Sequence, residues 1–566
     1  MTTMGECMTT TIAEYKMRGK KGSERLGNSD WPQENVERKV RPVPDRYRNA
    51  IGKFKVDRLA SCIACGRCAE VCAYGVHLKP EGYKYTVRPQ DYRCIGPACL
   101  ETGQDCMSLC PENAIRVSLN PNAECLGDPR WSSDLVLSTW HMAETGQTPP
   151  PHLEYRYGES GGGFDRIRFK FEIKEPGLRP GTPEAEKKRT KSTPADIDTG
   201  LELNRRDDNR PRVHIDIPVY GGGMSFGSVS IHTIVAKARA MTAWNSFTCT
   251  GEGGYPDKLK PYDDHVITQV ATGLFGVREE TIQRVRIVEF KYAQGAKPGL
   301  GGHLLGDKNT PDVAQMRGAV PGNALFSPFP FHSVYSVEDH KKHLDWIKEV
   351  NPRCLVSVKV STPTDVDMVA VGSYYAGAHI IHLDGSYGGT GAAPDIAKKN
   401  IAMPIEFAIP KVHKFLTAEG IREKITLIAS GGIRTAHDVL KAIAMGADGV
   451  VIGTAEMIAL GCVRCSTCES GRGCPRGIAS TDPELRDLMS LEWATQRLIN
   501  LQNAWREQMI SVLSILGLPS IQSLRGRTDL LCYLPANGTV QAKPGKREGR
   551  WNRRRRYYPR TDRRAP

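Results

Sequence analysis

The sequence predicts an α/β protein built on a closed barrel of eight strand–helix units, a (β/α)8 or TIM barrel. Between residues 211 and 460, continuous apolar segments alternate with amphipathic ones, and the strand–helix unit recurs at least six times. Such alternation indicates a parallel sheet. Glycine clusters follow several of the strands, at the end where barrels place their active sites. Two groups of closely spaced cysteines, one before this region and one after it, predict metal-binding units at both ends.

The chain divides by composition into five segments. Of its 566 residues, 40% are hydrophobic and 25% are charged, as in soluble globular proteins, and no run approaches 18 apolar residues. The first residues lack a secretory h-region, so we expect a cytoplasmic protein. The predicted segments are a polar N-terminal arm (1–55), a cysteine-rich domain (56–120), a connector (121–210), the barrel with its post-barrel cysteine loop and C-terminal helices (211–535), and a basic disordered tail (536–566).

The N-terminal cysteines form two runs. These runs read Cys62-x2-Cys65-x2-Cys68-x3-Cys72 and Cys94-x4-Cys99-x6-Cys106-x3-Cys110-Pro111. Thiolates at such spacings hold iron–sulfur clusters, and in two-cluster ferredoxins the last cysteine of each run binds the other cluster. Zinc is the alternative, which the C-x3-C-P ending disfavours. We therefore predict a ferredoxin-like domain with two [4Fe–4S] clusters, ligated by Cys62, Cys65, Cys68 and Cys110 and by Cys94, Cys99, Cys106 and Cys72.

A further cysteine group follows the barrel. It reads Cys462-x2-Cys465-x2-Cys468-x5-Cys474-Pro475 and predicts one more iron–sulfur cluster. Seventeen cysteines without a secretory signal indicate a reducing compartment rather than disulfides. Five cysteines outside these groups are expected to be structural: Cys7, Cys125, Cys249, Cys354 and Cys532.

The barrel strands and helices are predicted in turn from apolar runs and amphipathic periodicity. The predicted strand segments are 213–223, 246–254, 285–299, 354–362, 379–391, 425–435 and 447–455. Helices are predicted over 231–244, 337–350, 366–377 and 436–446. Outside the barrel, 134–146 is helix-like, and 488–520 reads as one or two helices packed on the barrel.

Two late glycine-rich strand ends predict a phosphate site. Ser430-Gly431-Gly432 ends one strand segment and Gly453-Thr454 ends the next. Late loops of barrels commonly bind a phosphate through backbone N–H groups. Ordinary turn glycines are the alternative. No strand-linked G-x-G-x-x-G with a following acidic residue is present, so nicotinamide binding by this chain is disfavoured. Metal clusters must then deliver the electrons, and a flavin is the natural converter of single electrons into hydride.

Polar residues near the other strand ends are candidates for chemistry. Lys291 and Lys359 lie inside apolar segments, where a cation stabilises an anionic reduced flavin or holds a substrate carboxylate. His332 is as well explained by a structural role as by a catalytic one. The full set of candidates is Ser225, Glu252, Gln269, Lys291, Gln294, Lys297, Lys359 and Asp384.

Several ordered blocks resemble the synthase portion of glutamate synthase, in the short archaeal-type form that carries a ferredoxin domain ahead of the barrel. The blocks are MSFGSVS (224–230), TGEGG (250–254), QVATGLFGV (269–277), AQGAKPGLGG (293–302), SPFPFHSVYSVED (327–339), DGSYGGTGAAP (384–394), ASGGIRT (429–435) and GRTDLL (526–531). The resemblance covers about two-thirds of the chain, with its blocks spread over 211–535.

The resemblance implies a cofactor and a reaction. FMN would lie at the barrel mouth and supply hydride to 2-iminoglutarate, which forms from 2-oxoglutarate and ammonia, to give L-glutamate. Electrons would arrive through the post-barrel cluster on Cys462, Cys468 and Cys474. The implied catalytic residues are Lys291, Gln294, Glu252 and Lys297. The implied cofactor-binding residues are Ser225, Gln269, Lys359, Gly388, Gly389, Thr390, Ser430, Gly431, Gly432, Gly453 and Thr454.

Three departures from the family pattern affect the expectation. The family usually shows x5 then x4 between its three cluster cysteines, whereas this chain has x5 then x5 with Cys465 added, so the cluster is [3Fe–4S] or [4Fe–4S]. Leu300 and His303 stand where KPGEGGQ has a glutamate and a glutamine, and Leu274 stands where SGRFG has an arginine. Such changes can alter which keto acid or amine is accepted.

The expected partners and the alternatives complete the hypothesis. No N-terminal cysteine nucleophile and no glycine-repeat β-helix segment are found, so separate glutaminase-type and β-helix-type subunits are expected, together with ferredoxin or an NAD(P)H-oxidising subunit as electron donor. We also expect an oligomer, and no membrane or nucleic-acid partner. Two alternatives remain: an N-methylglutamate synthase-type subunit, and an FMN and iron–sulfur electron-transfer subunit of a larger complex.

Overall fold

The computed structural model describes residues 36–44, 51–103, 105–149, 163–171, 196–394, 396–398, 400–469 and 472–534. The predicted basic tail and most of the predicted N-terminal arm lie outside these residues. Among the described residues, no helix combines the length and the low polarity needed to cross a membrane.

The described residues contain both strands and helices throughout. The strands are β1 (Phe54–Arg58), β2 (Ile115–Leu119), β3 (Ile167–Phe169), β4 (Leu201–Glu202), β5 (His214–Ile215), β6 (Val219–Gly221), β7 (Thr248–Cys249), β8 (Val266–Ala271), β9 (Ile287–Lys291), β10 (His303–Leu304), β11 (Leu325–Phe326), β12 (Leu355–Ser361), β13 (Ile380–Asp384), β14 (Thr426–Ser430), β15 (Gly449–Ile452) and β16 (Leu531–Tyr533). The α-helices are α1 (Arg67–Val71), α2 (Ser133–Thr145), α3 (Ile231–Ala243), α4 (Glu279–Arg284), α5 (Pro311–Arg317), α6 (Val337–Val350), α7 (Val366–Tyr375), α8 (Ile405–Ala418), α9 (Ala436–Ala444), α10 (Thr454–Ala459), α11 (Pro483–Arg486) and α12 (Leu491–Leu516).

Eight parallel strands form the predicted barrel. The order around the sheet is β6, β15, β14, β13, β12, β9, β8 and β7, so each strand lies beside its neighbour in the chain. The two ends of the sheet meet where the Gly221 N–H donates to the Phe247 carbonyl at 2.8 Å. Helices follow most of the strands and cover the outside, as the alternating pattern predicted.

The barrel interior is layered from apolar to charged. Ile287, Leu355 and Ile380 belong to a buried apolar cluster at the amino ends of the strands. Because alternate side chains of a strand point to the same face, the residues two and four positions further on reach successive levels of the interior. On β9 this series runs Ile287, Glu289, Lys291. The mouth of the barrel is therefore charged, whereas its floor is apolar.

A hairpin interrupts the regular alternation between β9 and β12. β10 and β11 pair antiparallel, and the His303 and Phe326 rings stack with centroids 6.0 Å apart. The Ser327 N–H donates to the Gly302 carbonyl at 2.7 Å, and Thr272 donates through Oγ1 to the Pro328 carbonyl at 2.6 Å. The first bond extends the pairing within the hairpin, and the second holds the hairpin against the loop that follows β8, near the barrel mouth.

The cysteine-rich domain is held by a short antiparallel pair. β1 and β2 pair from Phe54↔Leu119 to Arg58↔Ile115, and α1 lies between them in the chain. Its small core includes Val56, Val76 and Ile115 together with several of the cysteines. So small a core buries little apolar surface, which is typical of domains that rely on bound metal for stability.

The connector and the C-terminal helix brace the barrel from outside. α12 begins at the N-cap Ser490, whose side chain accepts from the Trp493 N–H, and its 26 residues pack against α3 and α2. Trp140 on α2 donates through Nε1 to the Ile458 carbonyl at 2.8 Å, and buried Arg497 on α12 donates to the Ala459 carbonyl at 2.6 Å. The predicted C-terminal helices are thus one long helix, clamped to α10 at the end of the barrel.

Most predicted elements are confirmed, with local differences. The predicted helix 337–350 coincides with α6. The predicted strand 213–223 divides into β5 and β6, because β5 pairs antiparallel with β4 beneath the barrel before the chain turns into it. Because β4 lies in the predicted connector and β5 in the predicted barrel segment, this pairing joins residues on the two sides of the predicted boundary at residue 210. β8 is not among the predicted strand segments. The candidate residue Gln269, predicted near a strand end, lies inside β8.

Candidate functional site

Lys291 and Glu252 form an ion pair at the carboxyl ends of the barrel strands. Lys291 is the last residue of β9, and Glu252 lies three residues beyond β7. The Lys291 ammonium donates to Glu252 Oε2 at 3.3 Å, and the two side chains are 13% and 18% exposed. The sequence predicted both residues as site residues, and the closure of the barrel brings them together.

Further cations surround the Glu252 carboxylate. Burial raises the pKa of Glu252, but the charges of Lys291, Lys297 and Arg317 outweigh that effect and keep this pKa below its ordinary value. Lys297 is itself buried and donates to the Gly301 and Ala392 carbonyls. Three cations around one carboxylate leave a net positive charge at the mouth, which favours an anionic ligand.

Lys359 and Asp384 form a second, buried pair on adjacent strands. Their closest N···O distance is 3.4 Å, with side-chain exposures of 10% and 8%. Asp384 also accepts from the Ser430 hydroxyl at 2.6 Å and from the Gly295 N–H at 3.0 Å. Burial raises the pKa of Asp384, but Lys359 and these hydrogen bonds hold it below its ordinary value. Burial lowers the pKa of Lys359, yet the neighbouring carboxylates raise it overall, so Lys359 is a permanent cation.

Glu289 lies beneath both pairs at the centre of a polar layer that the sequence analysis missed. Its carboxylate accepts from Gln269 Nε2 at 2.8 Å and from the Ser357 hydroxyl at 3.1 Å, and it contacts His382 Nδ1 at 2.9 Å. Although its burial acts in the opposite direction, the pKa of Glu289 falls to about 2 because His382, Lys359 and Gln269 stabilise the charged form.

A signal for these missed residues was present in the sequence. Glu289, Ser357 and His382 each stand two positions before a predicted site residue: Lys291, Lys359 and Asp384. Because side chains alternate along a strand, the residue two positions away points into the same interior. Applying that period to the predicted residues would have revealed the whole layer.

Three glycine-rich loops meet on the side of the mouth next to β13, β14 and β15. Gly431 has a φ of +89°, and a Cβ there would lie 2.3 Å from the Gly385 carbonyl oxygen. A Cβ at Gly389 would lie 2.4 Å from Thr454 Oγ1. Side chains at these positions would push the loops apart, so their close approach depends on glycine. By contrast, a Cβ at Gly388 or Gly453 would meet nothing closer than 3.5 Å.

Two sets of cysteines occur in the cysteine-rich domain. A cavity is lined by Cys62, Cys65, Cys68 and Cys110, which we call the outer set. Burial, together with the neighbouring thiols Cys94, Cys72 and Cys99, raises the pKa of Cys106 to about 12. We call these four the inner set. Both groupings coincide with the predicted ligand pairing. No three His, Cys, Asp or Glu side chains of the described residues converge on a single-ion site; the outer set surrounds a cavity rather than a point.

The post-barrel cysteine loop lies against the barrel mouth. Burial, with Cys474 and Cys468 nearby, raises the pKa of Cys462 to about 12. A Cβ at Gly391 would lie 3.1 Å from Cys468 Cβ, so this cysteine touches the loop that follows β13. Buried Lys308 donates to the Cys468 carbonyl at 2.6 Å. The predicted ligands therefore lie next to predicted cofactor-binding loops.

Three other candidate residues, Gln294, Ser225 and Thr390, make contacts within their own loops. The carbonyl of Gln294 accepts from the Lys297 N–H, which fixes the turn that carries Lys297. The Ser225 hydroxyl lies 3.2 Å from that of Ser228 in the loop after β6. Thr390 Oγ1 accepts from the Ala392 N–H at 3.1 Å. His332 is exposed.

The fold and the charged mouth together define a (β/α)8-barrel enzyme with adjoining cysteine-rich units. Residues 182–519 match the family model for the conserved region in glutamate synthase. The archaeal-type glutamate synthase [NADPH] of Thermotoga maritima is 36% identical over 486 residues, covering 83% of this chain and 92% of that relative. The archaeal glutamate synthase [NADPH] of Methanocaldococcus jannaschii is 35% identical over 511 residues, with 86% and 95% covered. The chain therefore belongs to the glutamate synthase family, and it is a glutamate synthase-type oxidoreductase.

Other similarities cover smaller shares of this chain. The glutamate synthase [NADPH] large chain of Azospirillum brasilense is 37% identical over 315 residues, which is 55% of this chain and 21% of that relative. Among solved structures, a flavocytochrome b2 variant with sulfite bound aligns over 68% of this chain and 80% of that chain at 15% identity with a TM-score of 0.40. At that score, the likeness supports no statement about function.

Proposed function

We propose that the protein catalyses the FMN-dependent reductive amination of 2-oxoglutarate, through 2-iminoglutarate, to L-glutamate, with electrons delivered by iron–sulfur clusters. The observation that carries the proposal is the Lys291–Glu252 ion pair at the barrel mouth, with Lys297 and Arg317 close enough to lower the pKa of Glu252 further. 2-Oxoglutarate carries two carboxylates, and the excess positive charge suits a dianion.

Lys291 is the group best placed to hold a substrate carboxylate. It is less buried than Lys359, and its partner Glu252 retains Lys297 and Arg317 when Lys291 turns towards a ligand. A lysine exchanging one carboxylate for another loses little electrostatic energy, so binding does not strand a buried charge. Glu252 would then orient the lysine.

The residues of the β13–β15 loops fit an FMN phosphate and ring. A Cβ at Gly388 or Gly453 would make only ordinary van der Waals contacts, and the close-packed glycines at 389, 431 and 432 would let backbone approach a ligand. The buried Ser386 hydroxyl has no hydrogen-bond partner among the described residues, as expected of a group that a ligand satisfies. Ser430, Thr454 and the N–H groups of these loops would hold the phosphate, and Lys359 would place a fixed positive charge near the ring. When bound, FMN supplies the hydride.

The thiol sets fit clusters that would feed this site. The outer set, the inner set and the post-barrel cysteines would each hold one cluster, the first two of the [4Fe–4S] type. Contact between Cys468 and Gly391 supports a short path from the post-barrel cluster to the mouth. Cys465, half-buried in the same loop, offers a fourth thiol and favours [4Fe–4S] there.

We propose that partner subunits supply the electrons and the ammonia. The relatives' names include NADPH, which supports an NADPH-oxidising subunit upstream of the clusters, with ferredoxin as the alternative. Ammonia would come from separate glutaminase-type and β-helix-type subunits or from solution.

Anaerobic assays with reconstituted protein test the proposed reaction. Reduced ferredoxin, 2-oxoglutarate and ammonium should give L-glutamate, detected by chiral chromatography, whereas omission of 2-oxoglutarate should give none. Methylated product appearing only on addition of methylamine and glutamate would replace the proposal with N-methylglutamate synthesis. Bound flavin unperturbed by 2-oxoglutarate, with no amino acid formed, would indicate an electron-transfer subunit.

The order of the carriers is tested with Cys468→Ser. Because Cys468 lies against the mouth, the variant should lose flavin reduction through the clusters, with the stopped-flow rate falling at least about a hundredfold. Direct reduction of the flavin by dithionite should be unchanged, which serves as the internal control. Equal rates by the two routes would contradict this order.

A further inference from the structure

The two cysteine sets of the ferredoxin-like domain differ in their access to solvent. In the outer set, Cys65 is exposed, and the intervening Ile63 is 61% exposed. In the inner set, Cys94 is buried, and no thiol of that set is exposed. A redox centre held by the outer set would therefore lie closer to the surface than one held by the inner set.

The inner set lies on the side of the domain that is tied to the barrel. Arg93, next to Cys94, pairs with Glu144 on α2 at 2.6 Å, and Lys53 pairs with Asp134 at the start of the same helix at 3.0 Å. These pairs are only partly exposed, and they fix α2 between the inner set and α10.

The same connector reaches the post-barrel cysteine loop. The Gly127 N–H donates to the Val463 carbonyl at 3.2 Å, and Asp128 accepts from Arg464 at 2.6 Å. Trp140 bonds to Ile458, four residues before Cys462. The inner set is therefore linked to the post-barrel cysteines through the ion pair next to Cys94 and through the hydrogen bonds of the connector, and none of these contacts involves a residue of the outer set.

The surface around the outer set is apolar with exposed cations. Lys79 donates to the Ala64 carbonyl at 3.0 Å, which places residues 78–87 beside the outer cysteine loop, and the buried Thr86 lines the cavity. The exposed apolar side chains here are Leu59 (45%), Ile63 (61%), Leu78 (41%), Tyr83 (63%) and Tyr85 (50%). Exposed cations in these segments are Arg67, Lys79, Lys84 and Arg88, and the exposed carboxylates are Glu70, Glu81 and Glu112, which leaves a small positive surplus. Large exposed apolar side chains in the segments around a cysteine cavity mark an interaction site, and the surplus of cations favours a partner bearing carboxylates.

We propose that the face formed by Leu59, Ile63, Leu78, Tyr83 and Tyr85 is the docking site of an acidic electron-carrier protein, and that a cluster held by the outer set would receive the electrons of that carrier. A cluster held by the inner set would then pass them to one held by the post-barrel cysteines. Each transfer would move one electron, so that the carrier would lose one electron and the cluster of the outer set would gain it, without bond making or breaking. The inference rests on the proposed function in that the thiols must hold clusters.

Two matched substitutions distinguish the sets. Ile63→Asp puts a negative charge beside the outer cysteines, whereas Leu100→Asp does the same beside Cys99 of the inner set, at a leucine that is 47% exposed. With reduced ferredoxin as the probe, the second-order rate of cluster reduction in the holoenzyme should fall about tenfold or more for Ile63→Asp and less than about twofold for Leu100→Asp. Equal or reversed effects would overturn the inference.

Independent readouts separate this inference from the proposed function. The electron paramagnetic resonance spectrum after dithionite reduction should be unchanged in both variants; absence of cluster signals in the unmodified protein would refute the proposed function itself. Should Ile63→Asp lose its cluster, Tyr83→Asp supplies the same test from outside the cysteine loop. Lys84→Glu should slow reduction most at low salt, and a rate independent of salt would contradict the acidic partner.

Discussion

Two lysine–carboxylate pairs lie at the same end of the barrel but in different surroundings. Lys359 and Asp384 are buried, and each remaining contact of Asp384 is a hydrogen bond from Ser430 or Gly295. Lys291 and Glu252 are nearer the opening, and further cations stand around the carboxylate. The first pair is balanced and closed, whereas the second carries surplus charge and can exchange partners.

The first pair therefore contributes mainly to the stability of the site, and the second mainly to its chemistry. A buried pair that loses one member leaves an uncompensated charge, which is severely destabilising. Where further cations remain around the carboxylate, the loss of one lysine changes the free energy of unfolding little, but it weakens the electrostatic attraction for an anionic ligand. Removal of Lys359 should therefore mainly lower the free energy of unfolding, whereas removal of Lys291 should mainly lower turnover.

The largest effect is expected for Lys359→Ala. The variant strands the Asp384 carboxylate near Glu289, so the free energy of unfolding should fall by about 3–5 kcal/mol, as measured by urea denaturation. The double variant Lys359→Met with Asp384→Asn removes both charges and should recover much of the loss. If the free energy of unfolding of the single variant fell by less than about 1 kcal/mol, Lys359 and Asp384 would behave as a solvent-exposed pair, contrary to this assignment.

A smaller effect, confined to catalysis, is expected for Lys291→Ala. Because Glu252 keeps Lys297 and Arg317, the free energy of unfolding should change by less than about 1 kcal/mol. The value of kcat/KM for 2-oxoglutarate should fall about a hundredfold, whereas FMN retention after gel filtration should not change. Unchanged turnover would remove Lys291 from the site and erase the distinction between the two pairs.

The smallest effect is expected from pH acting on Glu252. Its folded-state pKa lies below the ordinary value, so its stabilising contribution is present above the unfolded pKa of about 4.3 and is lost as pH falls through the folded value. At pH 7, Glu252→Gln should lower the free energy of unfolding by about 1–2 kcal/mol. That difference should shrink as pH falls below about 4; a difference that grows there would invert the assigned direction.

The fold was largely readable from the sequence because its signals are local. The apolar run of β12 and the amphipathic repeat of α6 each predict their element within one or two residues. The site was readable in part, since Lys291, Lys359 and Asp384 lie at strand ends where barrel chemistry is expected. The sequence did not show that Glu252, from the loop after β7, would lie against Lys291 rather than another cation.

The roles of the missed residues depend on contacts between distant parts of the sequence. Glu289 appears in the sequence as one carboxylate in an apolar strand, and only the closed barrel brings Gln269, Ser357 and His382 around it. Similarly, Lys308 lies 160 residues before Cys468 and gave no sign that it would hold that cysteine's carbonyl.

By itself, the sequence determined the strand–helix alternation, the cysteine spacings and the chemical types available at the barrel mouth. These follow from periodicity and residue chemistry over a few neighbouring positions. The tertiary structure decided which charges pair, which remain in surplus and which cysteine set faces the barrel. Such outcomes depend on barrel closure and on the packing of distant segments, because electrostatic energies are set by distances and burial that no local pattern encodes.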